Sequence, residues 1–249
     1  MPGCSTRMTM TIPAEKLYLD LLKGVLTRLI LPDTHFDRSR RELGLDWPSD
    51  GETMIGMKRL DNLDACIQSV VHDGVPGDLI ETGVWRGGAC IFMRAALEAY
   101  GDAERRVWVA DSFQGLPQPD PSRVTDVADA LWRSPELAIS LEQVRSNFDR
   151  YGMVDERVRF LPGWFADTLP NAPVEKLAIL RLDGDMYDST MVALESLYPK
   201  LSIGGYVILD DYLVVRGCKA ATDDFRARYE ISDEMRDIDG SGTFWRRTR

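Results

Sequence analysis

The chain has 249 residues, 30 Lys+Arg against 40 Asp+Glu, and a formal net charge of −10. With 44% hydrophobic and 28% charged residues it has the composition of a globular protein, long enough for a sizeable core without disulfide staples. The acidic balance argues against nucleic-acid or anionic-membrane partners, which need clustered Lys and Arg, and no window holds the roughly 18 apolar residues of a bilayer span.

Residues 1–12 are polar and aperiodic, so a disordered terminus is expected there. Residues 13–30 read as an amphipathic helix, with Pro13 at its start and Leu17, Leu21, Leu22, Val25, Leu26 and Leu29 at helical spacing. Asp20, Lys23 and Arg28 interrupt it too often for a signal peptide. Standing outside the later alternation, this helix packs either on its own domain or on a second subunit, and a homo-oligomer (dimer or tetramer) is expected. Residues 13–75 are read as N-terminal helices, with Leu60, Leu63, Ile67 and Val71 at core spacing and His72 at a helix end.

Residues 76–249 carry a strand–helix alternation. Strands are expected at 78–83, 106–111, 157–162, 177–183 and 206–210, with a final edge strand at 242–246. A helix is expected at 89–100, and helices of roughly 10–15 residues fit the gaps between the later strands, for example at 190–201 and 220–229. Continuous Val/Ile/Leu strands separated by helices mark a buried parallel sheet. Residues 112–140 break the rhythm with Pro117, Pro119, Pro121 and Pro135, and read as a mobile lid because Leu131-Trp132 would be odd in a solvated linker. Four cysteines, Cys4, Cys66, Cys90 and Cys218, lack a C-x-x-C spacing and read as free thiols in a reducing, cytoplasmic setting, with Cys66 and Cys90 buried.

Two constellations could do chemistry. The first is Glu81-Thr82-Gly83-Val84-Trp85-Arg86-Gly87-Gly88, between a strand and a helix. Its G-x-x-x-G-G spacing is not the G-x-G-x-x-G of dinucleotide binders, which counts against a nicotinamide dehydrogenase. Glu81 would repel a pyrophosphate but welcome an ammonium, which suits S-adenosylmethionine (SAM). Asp111, ending the next strand, can accept both ribose hydroxyls of an adenosine ligand.

The second constellation is Asp183-Gly184-Asp185 with Asp210-Asp211, both at carboxyl ends of apolar strands. If those strands are neighbours, three or four carboxylates converge, an arrangement that needs a cation. Oxygen-only ligands favour Mg²⁺, Mn²⁺ or Ca²⁺, and the two histidines, His35 and His72, make zinc improbable. The competing reading is that Asp210 and Asp211 cap the next helix while Asp185 sits in solvent.

With these residues assembled, the sequence resembles the macrocin O-methyltransferase family, whose members methylate deoxysugar hydroxyls on macrolides. The resemblance runs from about Leu17 to Trp245. It is carried by Thr53-Met54-Ile55-Gly56-Met57-Lys58-Arg59-Leu60, Pro76-Gly77-Asp78, Glu81 to Ala89, Asp111-Ser112-Phe113-Gln114-Gly115, Phe160-Leu161-Pro162-Gly163-Trp164-Phe165, Asp183-Gly184-Asp185-Met186-Tyr187, and Gly204-Gly205 before Asp210-Asp211-Tyr212. It implies an α/β class I methyltransferase (Rossmann-like) fold: a seven-stranded, mostly parallel sheet with one antiparallel strand, at 242–246 or its partner, and helices on both faces.

By position, the resemblance assigns Met54, Ile55, Glu81, Thr82, Gly83, Trp85, Gly87, Gly88, Ala89, Asp111, Ser112, Gly163, Trp164, Phe165 and Asp183 to SAM. Asp183, Asp210 and Asp211 would bind Mg²⁺, and Asp185 would be the general base. Spacing leaves open which of Asp183 and Asp185 faces the metal. The implied reaction is SAM- and Mg²⁺-dependent methylation of a sugar hydroxyl on a small glycosylated natural product of macrolide type. Methylation of a non-sugar vicinal diol or phenol, and SAM binding without catalysis, are the alternatives.

Overall fold

A computed structural model describes residues 12–34, 36–127 and 130–249. Apart from residue 12, the terminus expected to be disordered lies outside the described residues, as do Cys4 and His35. The N-terminal part contributes α1 (Ala14–Leu26), the short α2 (Arg38–Glu42) and α3 (Met57–His72). There follow β1 (Asp78–Thr82), α4 (Gly88–Ala99), β2 (Val107–Asp111), α5 (Leu141–Arg150), β3 (Val158–Pro162) and α6 (Phe165–Thr168). The chain ends with β4 (Leu177–Leu182), α7 (Tyr187–Leu197), β5 (Leu201–Leu209), α8 (Arg216–Arg228), β6 (Arg236–Asp237) and β7 (Thr243–Arg246).

The seven strands form one sheet in the order β3-β2-β1-β4-β5-β7-β6. The first five are parallel, and β7 runs antiparallel to both its neighbours, β5 and β6. Side chains alternate across this sheet. Leu79, Val107 and Val109 enter one core with α1, α3, α4 and α5, while Ile80, Trp108 and Ala110 enter a second with α7 and α8. Between β1 and β4 the chain reverses its direction of growth, and such a switch point opens a crevice at the carboxyl ends of the strands.

Several expected boundaries move. β5 begins at Leu201, where a helix was expected to end, because Pro199 closes α7 in a single tight turn. Gly205 then lets β5 pass close to β4, where a Cβ would stand 2.7 Å from the Ala178 carbonyl oxygen. α1 stops at Leu26 rather than 30, since Arg28 takes φ 59° and the Ile30 N–H turns back to the Gly24 carbonyl at 3.0 Å. α8 starts at Arg216, four residues before expectation. In α3 it is Val70, not Val71, that is fully buried. On α1, Leu17 and Leu21 face outward. α5, in the gap between β2 and β3, was given no bounds in the sequence, although Ser140 caps it by accepting the Gln143 N–H at 3.2 Å. Among the described residues of 112–140 there is no strand, as expected; the chain makes hydrogen-bonded turns around Asp120–Val127 and short 3-10 helices at Leu131–Arg133 and Pro135–Leu137.

Candidate active site

The crevice holds a cavity of about 770 Å³. Its cofactor-like half is built on the turn from β1 into α4. Gly83 adopts φ +81° and lies so close to β4 that a Cβ would stand 1.7 Å from the Asp183 carbonyl oxygen, so no other residue fits. Asp111, at the end of β2, accepts the Val84 N–H and the Phe113 N–H, each at 2.7 Å. Burial pushes its carboxyl up, and these N–H groups offset only part of that rise. The same carboxylate thus braces the glycine turn and lines the cavity. Trp85, at φ +48°, donates its indole N–H to the Glu136 carbonyl at 2.9 Å, tying the turn to the 112–140 segment.

Of the residues singled out in the sequence, Met54, Ile55, Glu81, Gly83, Trp85, Ala89, Asp111, Ser112, Trp164, Phe165, Asp183, Asp185, Asp210 and Asp211 line this cavity. Four others stand behind its wall. Thr82 is fully buried, and its carbonyl accepts the Asp183 N–H at 2.9 Å. Gly87 starts α4 at φ +87°, against Val144 and Phe148. Gly88 gives its N–H to the Glu52 carbonyl at 2.9 Å, and a Cβ there would stand 2.5 Å from that oxygen. Gly163 donates to the Asp111 carbonyl at 2.9 Å. In this structure these four contribute packing and turn geometry.

The second half is the acid cluster. β4 and β5 are parallel neighbours, so their following residues meet. Asp183, Asp210 and Asp211 each offer a carboxylate oxygen, all within 4.8 Å of one another. Burial and the charge of Asp210 raise Asp183 to about 6. Burial, with Asp185, Asp183 and Asp210 close by, drives Asp211 well above the carboxylate range. The Oδ2 atom of Asp211 is buried with no hydrogen-bond partner among the described residues. Three hard oxygen donors with one unsatisfied buried oxygen suit Mg²⁺ or a similar cation, and not zinc.

Sequence reasoning missed two arginines. Arg181, on β4, is fully buried. It pairs with Glu81 on β1 and Asp210 just after β5, and with Asp183 at 3.0 Å. Arg59, on α3, holds the other oxygen of Asp210 and reaches Asp239 at 3.0 Å. A lone arginine inside Leu177-Ala178-Ile179-Leu180-Arg181-Leu182 was the available signal, because a buried guanidinium requires carboxylate partners. Glu81 also accepts the Cys90 thiol at 2.8 Å. Burial, with Asp183 and Asp210 nearby, still raises its carboxyl to about 7 against the pull of Arg181 and Cys90.

A crevice at the switch point of a seven-stranded sheet with one antiparallel strand, floored by a glycine turn and two acidic strand ends, defines a class I O-methyltransferase. The chain belongs to the Macrocin-O-methyltransferase (TylF) family, whose characteristic sequence matches residues 26–247. It is 56% identical, over 96% of its length and 95% of the relative's, to the 8-demethyl-8-(2,3-dimethoxy-alpha-L-rhamnosyl)-tetracenomycin-C 4'-O-methyltransferase of Streptomyces olivaceus. It is 51% identical, over 94% of its length and 97% of the relative's, to the Mycinamicin III 3''-O-methyltransferase of Micromonospora griseorubida. Among solved structures, the O-methyltransferase NovP superposes with a TM-score of 0.92 at 51% identity, covering 94% of this chain and all of the other. Among the described residues no helix is long and apolar enough to cross a membrane.

Proposed function

We propose that this enzyme transfers the methyl group of SAM to a sugar hydroxyl of a glycosylated natural product, assisted by a divalent cation. The observation that carries this reading is the convergence of Asp183, Asp210 and Asp211 on the same cavity as Asp111, Glu81 and Asp185. SAM supplies an activated methyl group, and a cation bound by the three acids would lower the pKa of a hydroxyl beside it.

The protein's own tasks are alignment and proton removal. Glu81 and Asp111 would hold the charged and ribose ends of SAM, with Trp164 and Phe165 beside the adenine. Asp185 would take the hydroxyl proton. Relatives named for a rhamnosyl-tetracenomycin and for mycinamicin support a glycosylated acceptor without singling out macrolides. The exposed Leu17 and Leu21 on α1 support a homo-oligomer.

The test is methyl transfer from labelled SAM to a panel of rhamnosylated and other glycosylated polyketides, before and after chelation. Transfer that stops on chelation, returns with Mg²⁺ and falls about 10²–10⁴-fold in Asp185→Asn is expected. Transfer only to catechols or simple phenols would sink the sugar assignment, and full activity after chelation would sink the metal.

A further inference from the structure

Asp126 stands out among residues the proposed reaction has not used. It belongs to the 112–140 segment, between the exposed Val124 and Val127, yet is only 3% exposed itself. Its Oδ2 accepts the backbone N–H of Tyr187, the first residue of α7, at 3.0 Å. Its Oδ1 lies against Gly217 in the first turn of α8, where a Cβ would come within 2.1 Å of it. A surface segment therefore sends one buried carboxylate between the starts of two helices, into space that Gly217 leaves open. Arg123 docks the same segment on α7, pairing with Asp188 at 2.9 Å and lying 4.4 Å from the centre of the Tyr187 ring.

The bend just before α7 is strained. Asp185 has φ +54°, and the Met186 N–H returns to the Gly184 carbonyl at 2.5 Å, the hydrogen-bond pattern of a three-residue γ-turn. A non-glycine residue persists in such a conformation only where its surroundings over-determine it. One end of the bend is fixed by the Asp183 N–H donating to the Thr82 carbonyl at 2.9 Å. The other end is fixed by Asp126 on Tyr187.

We propose that Asp126 is a positioning residue: clamping the amide of Tyr187, it holds the strained 184–186 bend and so presents the Asp185 carboxylate to the acceptor. This rests on the reading of Asp185 as the base. Because the clamp comes from a segment that also lines the cavity, through Gly115 to Asp120 and Leu131, seating of that segment and readiness of the base become one event.

The test compares Asp126→Ala, Asp126→Asn and Gly217→Ala, using the glycoside that turns over fastest in the panel above. Gly217→Ala touches no reacting group and favours helix, yet its Cβ would drive the carboxylate out and press on the Tyr187 amide N, 2.7 Å away, so it disturbs the clamp from both sides. In Asp126→Ala and Gly217→Ala, kcat is expected to fall about 10- to 100-fold, the scale of a small misplacement of a reacting group. The Kd for S-adenosylhomocysteine should stay within about twofold, and hydrogen exchange of a peptide spanning 184–187 should rise several-fold. Asp126→Asn, which keeps an acceptor oxygen for Tyr187, should retain most of the rate. In an Asp185→Asn background, Asp126→Ala should cost nothing further.

Wild-type kcat in Asp126→Ala beside an inactive Asp185→Asn overturns the clamp alone. So does unchanged exchange at 184–187, or an undiminished effect in the double variant. Wild-type kcat in Asp185→Asn overturns the base assignment and the clamp's purpose with it. Should Asp126→Ala not fold, Gly217→Ala and Asp126→Asn give the same comparison.

Discussion

Asp111 and the Asp183/Asp210/Asp211 cluster face one cavity, and they are satisfied in different ways. Asp111 in the cofactor-like half is hydrogen-bonded by backbone N–H groups of Val84 and Phe113, donors fixed by the turn itself. In the other half Asp183 and Asp210 depend on guanidinium groups from Arg181 and Arg59, and Asp211 keeps one oxygen unsatisfied. A carboxylate held by backbone is finished when the chain folds. A cluster held by opposite charges remains responsive to any further cation.

The strongest way to break this contrast is Arg181→Met. Removing the guanidinium strands Glu81, Asp183 and Asp210 together, so a loss of about 3–5 kcal/mol in urea unfolding is expected. Adding Glu81→Gln should recover part of it. Gly83→Ala attacks the other half, by forcing a side chain into φ +81° against the Asp183 carbonyl. A loss of ~3 kcal/mol is expected, with weaker binding of S-adenosylhomocysteine in calorimetry.

A smaller effect concerns pH. Glu81 and Asp183 have folded-state pKa values raised to about 7 and about 6, from ordinary values of 4.5 and 3.8. Between the ordinary and raised values the folded state binds more protons than the unfolded state, so its stability falls as pH rises. The metal-free protein should therefore melt at a higher temperature near pH 5 than near pH 7.5, and saturating Mg²⁺ should flatten the slope. A metal-free melting temperature that climbs over this range would contradict the raised carboxyls.

The smallest effect is thiol labelling. Burial pushes Cys66 up to about 12 and Cys90 and Cys218 well above the usual thiol value, so all three should resist Ellman's reagent in the native protein. Cys90 backs the cofactor-like half through Glu81, while Asp211 in the other half acts electrostatically on Cys218. If the charge-held half loosens first, mild denaturant should expose Cys218 before Cys90.

Most of the fold was legible because parallel strands buried on both faces announce themselves as Val/Ile/Leu runs. The acids at their ends were legible too, since charges directly following such runs must stand at the sheet's rim. Boundaries were less so: Pro199 and the close passage of Gly205 under Ala178 moved the start of β5, and β6 has only two residues. Arg59 and Arg181 escaped because a guanidinium's partners come from β1, the residue after β5 and the loop at Asp239, and sequence spacing does not show such neighbours. Asp126 escaped for the same reason, as its partner lies 61 residues away in the chain.

The buried arginine on β4 also has a consequence for how the sheet forms. Glu81 lies 100 residues before Arg181 and Asp210 lies 29 after it. Were β4 to dock on either neighbour alone, a guanidinium would leave water with only part of its countercharge, a costly state. The three central strands are thereby expected to close together, in one cooperative step. Refolding should show β1, β4 and β5 gaining amide protection in the same kinetic phase despite their separation along the chain.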